Sequence, residues 1–354
     1  MCAMSVSQPV DVDQSIADFA AIGRWMDRQG LPGTEFDAIT SIGGGTQNIM
    51  LRFTRGGREY VLRRGPRHLR AKSNEVIGRE SRLLRAIDGT DVASPRVIAA
   101  CDDESVIGAV FYLMEPIRGF NPQTELPDLH AGDPEIRRQM GLSAVEAIAR
   151  LGALDYQALG LHDYGRPDGF LERQVPRWLR ELDSYSANQG YPGPQIPGVD
   201  RIGDWLERHR PTTWTPGIMH GDCHLANMMF DYDGPEVAAL VDWEMSTIGD
   251  PLLDLGWQLA TRPEPGTVGA GLMGTLGTVG GLPTAAEMIE HYGTFSDRDL
   301  SAITWYTVLA CFKLGIVLEG TYARAFAGKA PKPVGDFLHA VTMELFEKAG
   351  QLAQ

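Results

Sequence analysis

The sequence predicts an α+β chain made of two parts, a β-rich N-terminal part up to about residue 117 and a larger helical part after it. The first observation in favour is length, because 354 residues exceed what a single compact core usually holds. The second is a change of pattern near residue 117. Short strand-like segments separated by glycine-rich turns give way there to segments with apolar residues at helical spacing.

The N-terminal part is predicted to contain a helix, three strands, a second helix and two more strands. The opening helix over residues 12–29 carries apolar residues at helical spacing and ends at Gly30. A charged helix precedes the last two strands. The predicted boundaries are 36–42, 48–53 and 59–64 for the first three strands, 69–87 for the charged helix, and 96–100 and 109–114 for the last two strands.

The C-terminal part is predicted to be mainly helical, with one strand at residues 237–241. Helices are predicted at 134–159, 171–187, 202–209, 300–326 and 336–348. The uncharged stretch 265–286 is long enough to span a bilayer, but seven glycines and two prolines interrupt it. We therefore expect a mobile surface loop there rather than a membrane span. The sequence does not decide whether this loop acts as a lid.

Charge and cysteine usage limit the classes of function. A net charge of −14 argues against a broad nucleic-acid or anionic-membrane surface, so we expect neither partner. Scattered cysteines without a Cys-x-x-Cys pair, and an N-terminus without signal-peptide character, favour a reducing, cytoplasmic location. A zinc or thiol–imidazole site at Cys223 and His224 is disfavoured, since adjacent side chains seldom face each other. The four cysteines are Cys2, Cys101, Cys223 and Cys311.

Two short segments carry the polar side chains best suited to chemistry. Asp222 and Asn227 lie five residues apart after a Pro-Gly break, so one loop can present both. Asp242 follows an apolar run at the end of a predicted strand. Phosphoryl transfer needs one carboxylate to orient the attacking hydroxyl, and a carboxylate and an amide oxygen to hold Mg²⁺ against nucleotide phosphates. The residue types therefore suit a kinase-type reaction.

The His-Gly-Asp-x-x-x-x-Asn pattern at residues 220–227, together with the strand-borne Asp242, resembles the aminoglycoside and choline phosphotransferase group of the protein-kinase-like superfamily. The resemblance implies a bilobal protein-kinase-like fold. The β-rich N-lobe, residues 1–117 with one main helix, would bind nucleotide. The helical C-lobe, residues 118–354, would supply catalysis and the acceptor site.

The same resemblance implies roles for individual residues. Asp222 would be the catalytic base, and Asn227 and Asp242 would be Mg²⁺ ligands. Asp254 would be a buried acid that braces the catalytic loop through its backbone, and His220 would orient that loop.

A narrower likeness is to the kinase-like domains fused to some acyl-CoA dehydrogenases, and it extends over residues 37–328. The strings that carry it are Arg173-Gln174 with Trp178, Asp242-Trp243-Glu244, Gly281-Leu282-Pro283 and Gly320-Thr321-Tyr322-Ala323-Arg324. Trp178, Trp243 and Glu244 are the candidate acceptor-pocket residues. The alternatives are that the two tryptophans are core residues, and that Glu244 is an acid near the metal or a solvated side chain.

A glycine-rich turn over residues 43–48 lies between two predicted strands of the N-terminal part. Its glycines would let backbone N–H groups approach phosphates, although such a turn is as readily a plain hairpin. It departs from the Gly-x-Gly-x-x-Gly pattern of protein kinases. The nucleotide-binding candidates here are Gly44, Thr46 and Asn48.

Arg63 stands where protein kinases place a phosphate-binding lysine. Arginine can bind phosphate bidentately, so the role can survive the change, and the alternative is an edge-strand arginine in solvent. Glu80 is its candidate helix partner, with Glu75 as the competitor. The strand that ends the N-lobe would lead into a hinge where backbone groups near Glu115 and Ile117 bind the adenine edge.

The sequence thus predicts an ATP-dependent, or GTP-dependent, and Mg²⁺-dependent phosphotransferase acting on a small-molecule hydroxyl. The acceptor is left open between a hydroxylated metabolite, such as a hydroxyacyl thioester, and an aminoglycoside. The alternative class is a catalytically inactive, nucleotide-binding regulatory pseudokinase, for which Arg63 is the main support. The sequence does not indicate an oligomeric state.

Overall fold

The structure is a computed structural model and describes residues 17–43 and 48–354. The chain divides into two compact units. The first contains the described residues up to Gly119 together with Leu159–Leu161 and Ala238–Glu244. The second contains Phe120–Ala158, His162–Val237 and Met245–Gln354.

The first unit therefore departs from a simple cut at residue 117. The late segment Ala238–Glu244 belongs to it because the N–H of Leu240 donates to the carbonyl of Ala93 at 2.9 Å. Arg82 likewise reaches the carbonyl of Gly160 at 2.8 Å. Hydrogen bonds between distant parts of the chain, which no local pattern encodes, set the composition of this unit.

The first unit is built on an antiparallel sheet of five strands in the order β1-β2-β3-β5-β4. Strand β3 is internal, and it pairs in register with β2 through a two-residue turn. Gly56 and Gly57 of this turn have φ of +58° and +76°, as a type I′ hairpin requires. The elements are α1 (Phe19–Arg28), β1 (Phe36–Ser41), β2 (Ile49–Arg55), β3 (Arg58–Arg64), α2 (Ser73–Ile87), β4 (Val97–Cys101) and β5 (Phe111–Met114).

Helix α1 packs on this sheet and is shorter than predicted. It begins at Phe19 because the Asp18 side chain accepts a hydrogen bond from the N–H of Ala21 at 2.9 Å and caps the helix. Trp25 and Met26 enter the core, which the sheet supplies with Leu51, Phe53, Leu62 and Leu113 among others. Residues 12–16 of the predicted helix lie outside the described residues.

The second unit is mainly helical. A short antiparallel pair, β6 with β9, frames the segment that contains His220 to Asn227. Its elements are α3 (Asp128–Gly132), α4 (Pro134–Ala153), α5 (Gln174–Ser184), α6 (Val199–Arg208), β6 (Gly217–Met219), β7 (Met228–Phe230), β9 (Thr247–Gly249), α7 (Leu252–Thr261), α8 (Gly274–Val279), α9 (Ala285–Gly293), α10 (Ile303–Phe326) and α11 (Lys332–Leu352). Strand β8 (Val237–Leu240) belongs, except for Val237, to the first unit.

The prediction of a mobile loop at 265–286 is wrong. The segment forms a 3₁₀ turn at Gly269–Met273 followed by α8, and Met273 and Leu276 are buried. The Glu344 carboxylate accepts the N–H groups of Val268 and Gly269 at 2.6 and 2.8 Å, which anchors the start of the segment. The scattered apolar residues therefore pack on one side, although the glycines suggested a loop.

In the described part of the chain, one helix is long and apolar enough to cross a membrane by length and composition, Leu300–Phe326. In the most apolar stretch of this helix, 61% is buried inside the protein, and the core helix of a soluble protein can have the same length and composition. The uncharged segment 265–286 does not form a helix long enough to cross a membrane.

Candidate active site

The segment from His220 to Asn227 starts directly after β6 and ends in a 3₁₀ turn. Gly221 has φ of +84°, and a Cβ there would lie 2.4 Å from the carbonyl oxygen of Met245. Only glycine fits this position. The sharp turn at Gly221 is what allows the next residue, Asp222, to project a half-exposed side chain.

Asn227 is bound to Asp222 within this loop. Its Nδ2 donates to the Asp222 carbonyl at 2.9 Å and to the Asp222 Oδ2 at 3.1 Å. The amide is thereby oriented with its nitrogen toward Asp222, which leaves Oδ1 available as a ligand atom. His224 also approaches, with Nε2 3.5 Å from the Asp222 Oδ1. Two of the predicted functional residues, the base and an Mg²⁺ ligand, are thus in direct contact.

Asp254 supports this loop from the first turn of α7. Its carboxylate accepts the backbone N–H of His220 at 2.6 Å and that of Gly221 at 2.9 Å. Burial raises the pKa of Asp254 to about 6, against the opposing effect of these two hydrogen bonds and of Lys313. His220 itself is completely buried. The contact predicted for Asp254 is present, and its importance for catalysis stays a prediction.

Asp254→Asn is expected to lower kcat about 10- to 100-fold, because the amide NH₂ would face a backbone N–H that now has a carboxylate acceptor. Wild-type turnover should fall below about pH 6, where protonation removes one acceptor from the same carboxyl. Steady-state kinetics across pH would measure both effects. Asp204→Asn, an exposed change on α6, is the matched control. Unchanged kcat in Asp254→Asn would contradict the bracing role.

A second cluster, formed within the first unit, centres on Arg63. Its Nε donates to the Glu80 Oε2 at 2.9 Å, and its terminal nitrogen lies 3.1 Å from the Asp242 Oδ1. Glu80, and not Glu75, is therefore the partner on α2. The backbone N–H of Trp243 also points to Glu80 at 3.4 Å.

Arg63 and Glu80 form a buried ion pair, with side chains 8% and 2% exposed. Burial acts to lower the pKa of Arg63, but Glu80, Tyr112 and Asp242 together raise it. Burial raises the pKa of Glu80 and the guanidinium opposes that shift. The alternative of an edge-strand arginine in solvent is wrong, because β3 is an internal strand.

Asp242 lies just after β8 and has φ of +66°, a left-handed conformation that is uncommon outside glycine. Such strain is found most often at functional sites. Its side chain is 42% exposed, and only one carboxylate oxygen is bound to Arg63. The second oxygen has no hydrogen bond to the described residues, so it can act as a ligand.

Oxygen ligands for Mg²⁺ come from individual side chains rather than from a dense acidic cluster. The described residues contain no cluster of three or more His, Cys, Asp or Glu that could hold a metal ion by themselves. Mg²⁺ at a nucleotide usually takes one or two protein carboxylates and fills its remaining positions with phosphate and water. The oxygen atoms that Asp242 and Asn227 leave available are of the type Mg²⁺ prefers. Each of the two residues by itself therefore offers an oxygen that suits the ion.

The predicted nucleotide-binding residues have different outcomes. Gly44 and Thr46 lie outside the described residues. Asn48 is described, and its Nδ2 is 3.5 Å from the Glu244 Oε2. At the predicted hinge, the N–H of Glu115 donates a hydrogen bond to the carbonyl of Arg96 at 3.0 Å.

The half-buried Ile117 keeps its N–H without a hydrogen bond to any residue that the structure describes. The Glu115 side chain forms an ion pair with Arg58 at 2.8 Å. Adenine recognition at Ile117 stays a prediction.

Of the two alternatives for Trp178 and Trp243, core residue or pocket wall, burial favours the core. Trp243 is 1% exposed, and its Nε1 donates to the Leu240 carbonyl at 2.8 Å. Trp178 is 5% exposed and packs against Lys313. Bulky indoles packed this deeply stabilise the protein and offer no surface to a ligand. Glu244 is exposed and lies beside Asn48.

A cavity of about 650 Å³ is present in the second unit instead. His224 and Ala226 of the 220–227 segment form part of its wall, so it adjoins Asp222 along the chain. The polar residues Arg262, Glu344 and Lys348 also contribute. Most of the apolar lining comes from Leu272, Met273, Leu314, Leu318, Val341 and Leu345.

The profile of the Phosphotransferase enzyme family matches residues 38–288, more than half of the chain. The chain belongs to this family. The matched range contains both clusters described above and ends before α10. The residues of α10 and α11 that line the cavity therefore lie beyond the part of the phosphotransferase that the family profile covers.

Curated relatives of this phosphotransferase carry the names of acyl-CoA dehydrogenases, as the narrower likeness predicted. Mouse acyl-CoA dehydrogenase family member 10 is 28% identical over 84% of this chain and 27% of its own length. Human acyl-CoA dehydrogenase family member 11 is 29% identical over 91% of this chain and 41% of its own length. The phosphotransferase chain thus spans well under half of the relatives it matches.

Solved structures confirm the α+β, protein-kinase-like phosphotransferase fold. A Ralstonia eutropha chain provisionally assigned as an aminoglycoside phosphotransferase has a TM-score of 0.76 and 30% identity, with 95% of this chain and 99% of that one covered. The GDP complex of aminoglycoside 2'-phosphotransferase-IIIa has a TM-score of 0.59 at 14% identity, covering 94% of this chain and 98% of that one. At that identity the likeness shows the fold alone.

Proposed function

We propose that this phosphotransferase transfers the γ-phosphoryl group of ATP, or GTP, to a hydroxyl group of a small molecule, with Mg²⁺. The observation that carries the proposal is the loop in which Asp222 is half exposed, bound by Asn227 and braced through Gly221 by Asp254. A binding protein has no need for a carboxylate held in this way. Solved relatives bound to GDP or AMP-PNP support a nucleotide as donor.

In the proposed reaction, the Asp222 carboxylate accepts a hydrogen bond from the acceptor hydroxyl and orients its oxygen toward the γ-phosphorus. A bond forms between that oxygen and phosphorus while the bond to the β,γ-bridging oxygen breaks, and the nucleoside diphosphate leaves. The hydroxyl proton passes to Asp222. Positioning and charge neutralisation would supply most of the rate enhancement.

Arg63 would neutralise nucleotide phosphate charge, since its guanidinium is held in place by Glu80. Mg²⁺, when bound, would offset the negative charge of the phosphates. The available oxygens of Asn227 and Asp242 are the protein ligands proposed for it.

The cavity lining favours a hydroxylated metabolite with an apolar body, such as a hydroxyacyl thioester, over an aminoglycoside. A polycationic acceptor needs unpaired carboxylates, and few remain here. Glu264 pairs with Arg262 at 2.5 Å, and Glu344 accepts two backbone N–H bonds. Glu347 and Lys348 offset each other in formal charge. The names of the acyl-CoA dehydrogenase relatives agree with this choice.

A phosphotransfer screen of wild type and Asp222→Ala against hydroxyacyl thioesters, other hydroxylated metabolites and aminoglycosides tests the proposal. Transfer that requires Mg²⁺ and is lost in Asp222→Ala would support it and identify the acceptor class. Tight nucleotide binding without transfer to any pool would instead favour the regulatory pseudokinase.

Leu318→Phe is expected to raise the acceptor KM about tenfold and leave the nucleotide KM unchanged, because the larger ring would fill part of the cavity. Val317→Phe, at an exposed neighbouring position on α10 that does not line the cavity, is the matched control. Equal acceptor KM values in the two variants would show that the acceptor binds elsewhere.

A further inference from the structure

Lys313 is the only charged residue between Ile303 and Leu318 on helix α10. The side chain is buried, with 6% of its surface exposed. Burying an ammonium group is unfavourable unless it is well paired. The presence of a lysine in this core position therefore calls for a specific reason in its contacts.

The Lys313 ammonium donates a hydrogen bond to the carbonyl oxygen of Gly221, with Nζ 2.8 Å away. It also lies over two indole rings, 4.2 Å from the centroid of Trp257 and 5.6 Å from that of Trp178. The Nε1 atoms of both indoles make no hydrogen bond with the described residues. The two rings thus contribute their faces, as in a cation–π site.

The Gly221 residue is consequently held on both sides. Asp254 accepts its N–H at 2.9 Å, and Lys313 donates to its carbonyl. That carbonyl belongs to the peptide bond that joins Gly221 to Asp222. Fixing this peptide plane fixes the direction in which the Asp222 side chain leaves the backbone, because a peptide unit is rigid.

We propose that Lys313 is a positioning residue for phosphotransfer, which holds the peptide preceding Asp222 through the Gly221 carbonyl and supplies a positive charge beside Asp222 and Asp254. The inference rests on the proposed function, since it assigns Lys313 a part in orienting the catalytic base. A lysine with a purely structural role would have no effect on turnover beyond its effect on folding.

The charged groups that act on Lys313 lie in the 220–227 loop, on α7 and on α5. Burial lowers the pKa of Lys313 to about 8, while Asp222 in the loop and Asp254 on α7 oppose this shift. Arg177 on α5, whose guanidinium lies 4.9 Å from the Trp178 ring, adds to it. Above about pH 8 the ammonium becomes a neutral amine, a weaker donor to Gly221 without charge. Turnover should therefore decline on the alkaline side.

The test compares Lys313→Met and Lys313→Arg with wild type and with Lys332→Met, an exposed lysine on α11. Lys313→Met should lower kcat about 100-fold at unchanged nucleotide affinity, and a cooperative thermal transition would show that the variant is folded. Amide hydrogen exchange should become faster in the peptide containing residues 220–227. Lys313→Arg should retain part of the activity and lose the alkaline decline near pH 8, because arginine stays charged.

Lys313→Met with kcat within about threefold of wild type and unchanged exchange at 220–227 would overturn the inference. So would an alkaline decline that stays at the same pH in Lys313→Arg, which also decides the question if the methionine variant does not fold. If wild type transfers phosphate to no acceptor, the proposed function fails separately. The exchange measurement then decides alone whether Lys313 orders the loop.

Discussion

Asp222→Asn is expected to lower kcat by about 10³-fold while the nucleotide dissociation constant stays within about twofold. The substitution keeps the size of the side chain and an acceptor for the Asn227 amide, which now contacts Oδ2 at 3.1 Å. It removes the charge that accepts the hydroxyl proton. The nucleotide-binding candidates of the first unit are untouched by the change.

Single-turnover phosphotransfer and nucleotide titration would measure the two quantities independently. Asp168→Asn, an exposed position of the same unit, serves as the matched control and should behave as wild type. Turnover by Asp222→Asn equal to that of the control would refute the assignment of Asp222 as the base.

Arg63→Met is expected to destabilise the protein by about 3–5 kcal/mol, because it leaves the buried Glu80 without its partner. Arg52 on the adjacent strand provides a matched control. It pairs with Glu59 at 2.7 Å, but both side chains are about half exposed. Arg52→Met should therefore change the free energy of unfolding by no more than about 1 kcal/mol. Urea unfolding of the two variants measures the contrast.

A second substitution distinguishes the effect of breaking the Arg63–Glu80 ion pair from the effect of altered side-chain packing. In the Arg63→Met background, Glu80→Leu should recover much of the lost stability, because no charge then remains buried. If Arg63→Met were as mild as Arg52→Met, the buried pair would not be an important part of the first unit. If Glu80→Leu failed to rescue, packing rather than charge would explain the loss.

Much of the first unit could be predicted from local pattern. Alternation of apolar residues and the Gly56-Gly57 turn were sufficient to place β2 and β3 to within a few residues. The position of Arg63 within the sheet was harder, because a strand pattern does not reveal which strands are internal. Pairing of β3 with β5, across α2 and β4, depends on contacts between distant segments.

The contact between Asp222 and Asn227 could be predicted because it is local. Asp222 and Asn227 are five residues apart, and their contact needs only one turn of chain. Lys313 was missed, although a lone lysine in a long apolar helix is a usable signal. Its partner Gly221 is 92 residues away, and only the packing of α10 against the loop brings them together.

The same limitation applies to the two tryptophans, which the sequence left between core and pocket, and to the loop prediction for 265–286, which was wrong. Residue type indicates what a side chain can do, whereas its accessibility depends on the surrounding packing. Trp243 could have lined a pocket, but it is enclosed. The glycines of 265–286 permitted a loop, but Glu344 of α11 and the buried Leu276 order the segment.

The inclusion of Ala238–Glu244 in the first unit has a consequence for synthesis on the ribosome. The sheet of that unit is complete once Met114 has emerged, yet its last segment ends at Glu244, about 125 residues after Gly119. At about 5–20 residues per second, the nascent unit waits roughly 6 to 25 seconds for its last segment. Until then Ala93 lacks its partner Leu240, and Arg63 is balanced by Glu80 alone. A nascent chain released before residue 244 would therefore carry an incomplete first unit, exposed to proteases and chaperones.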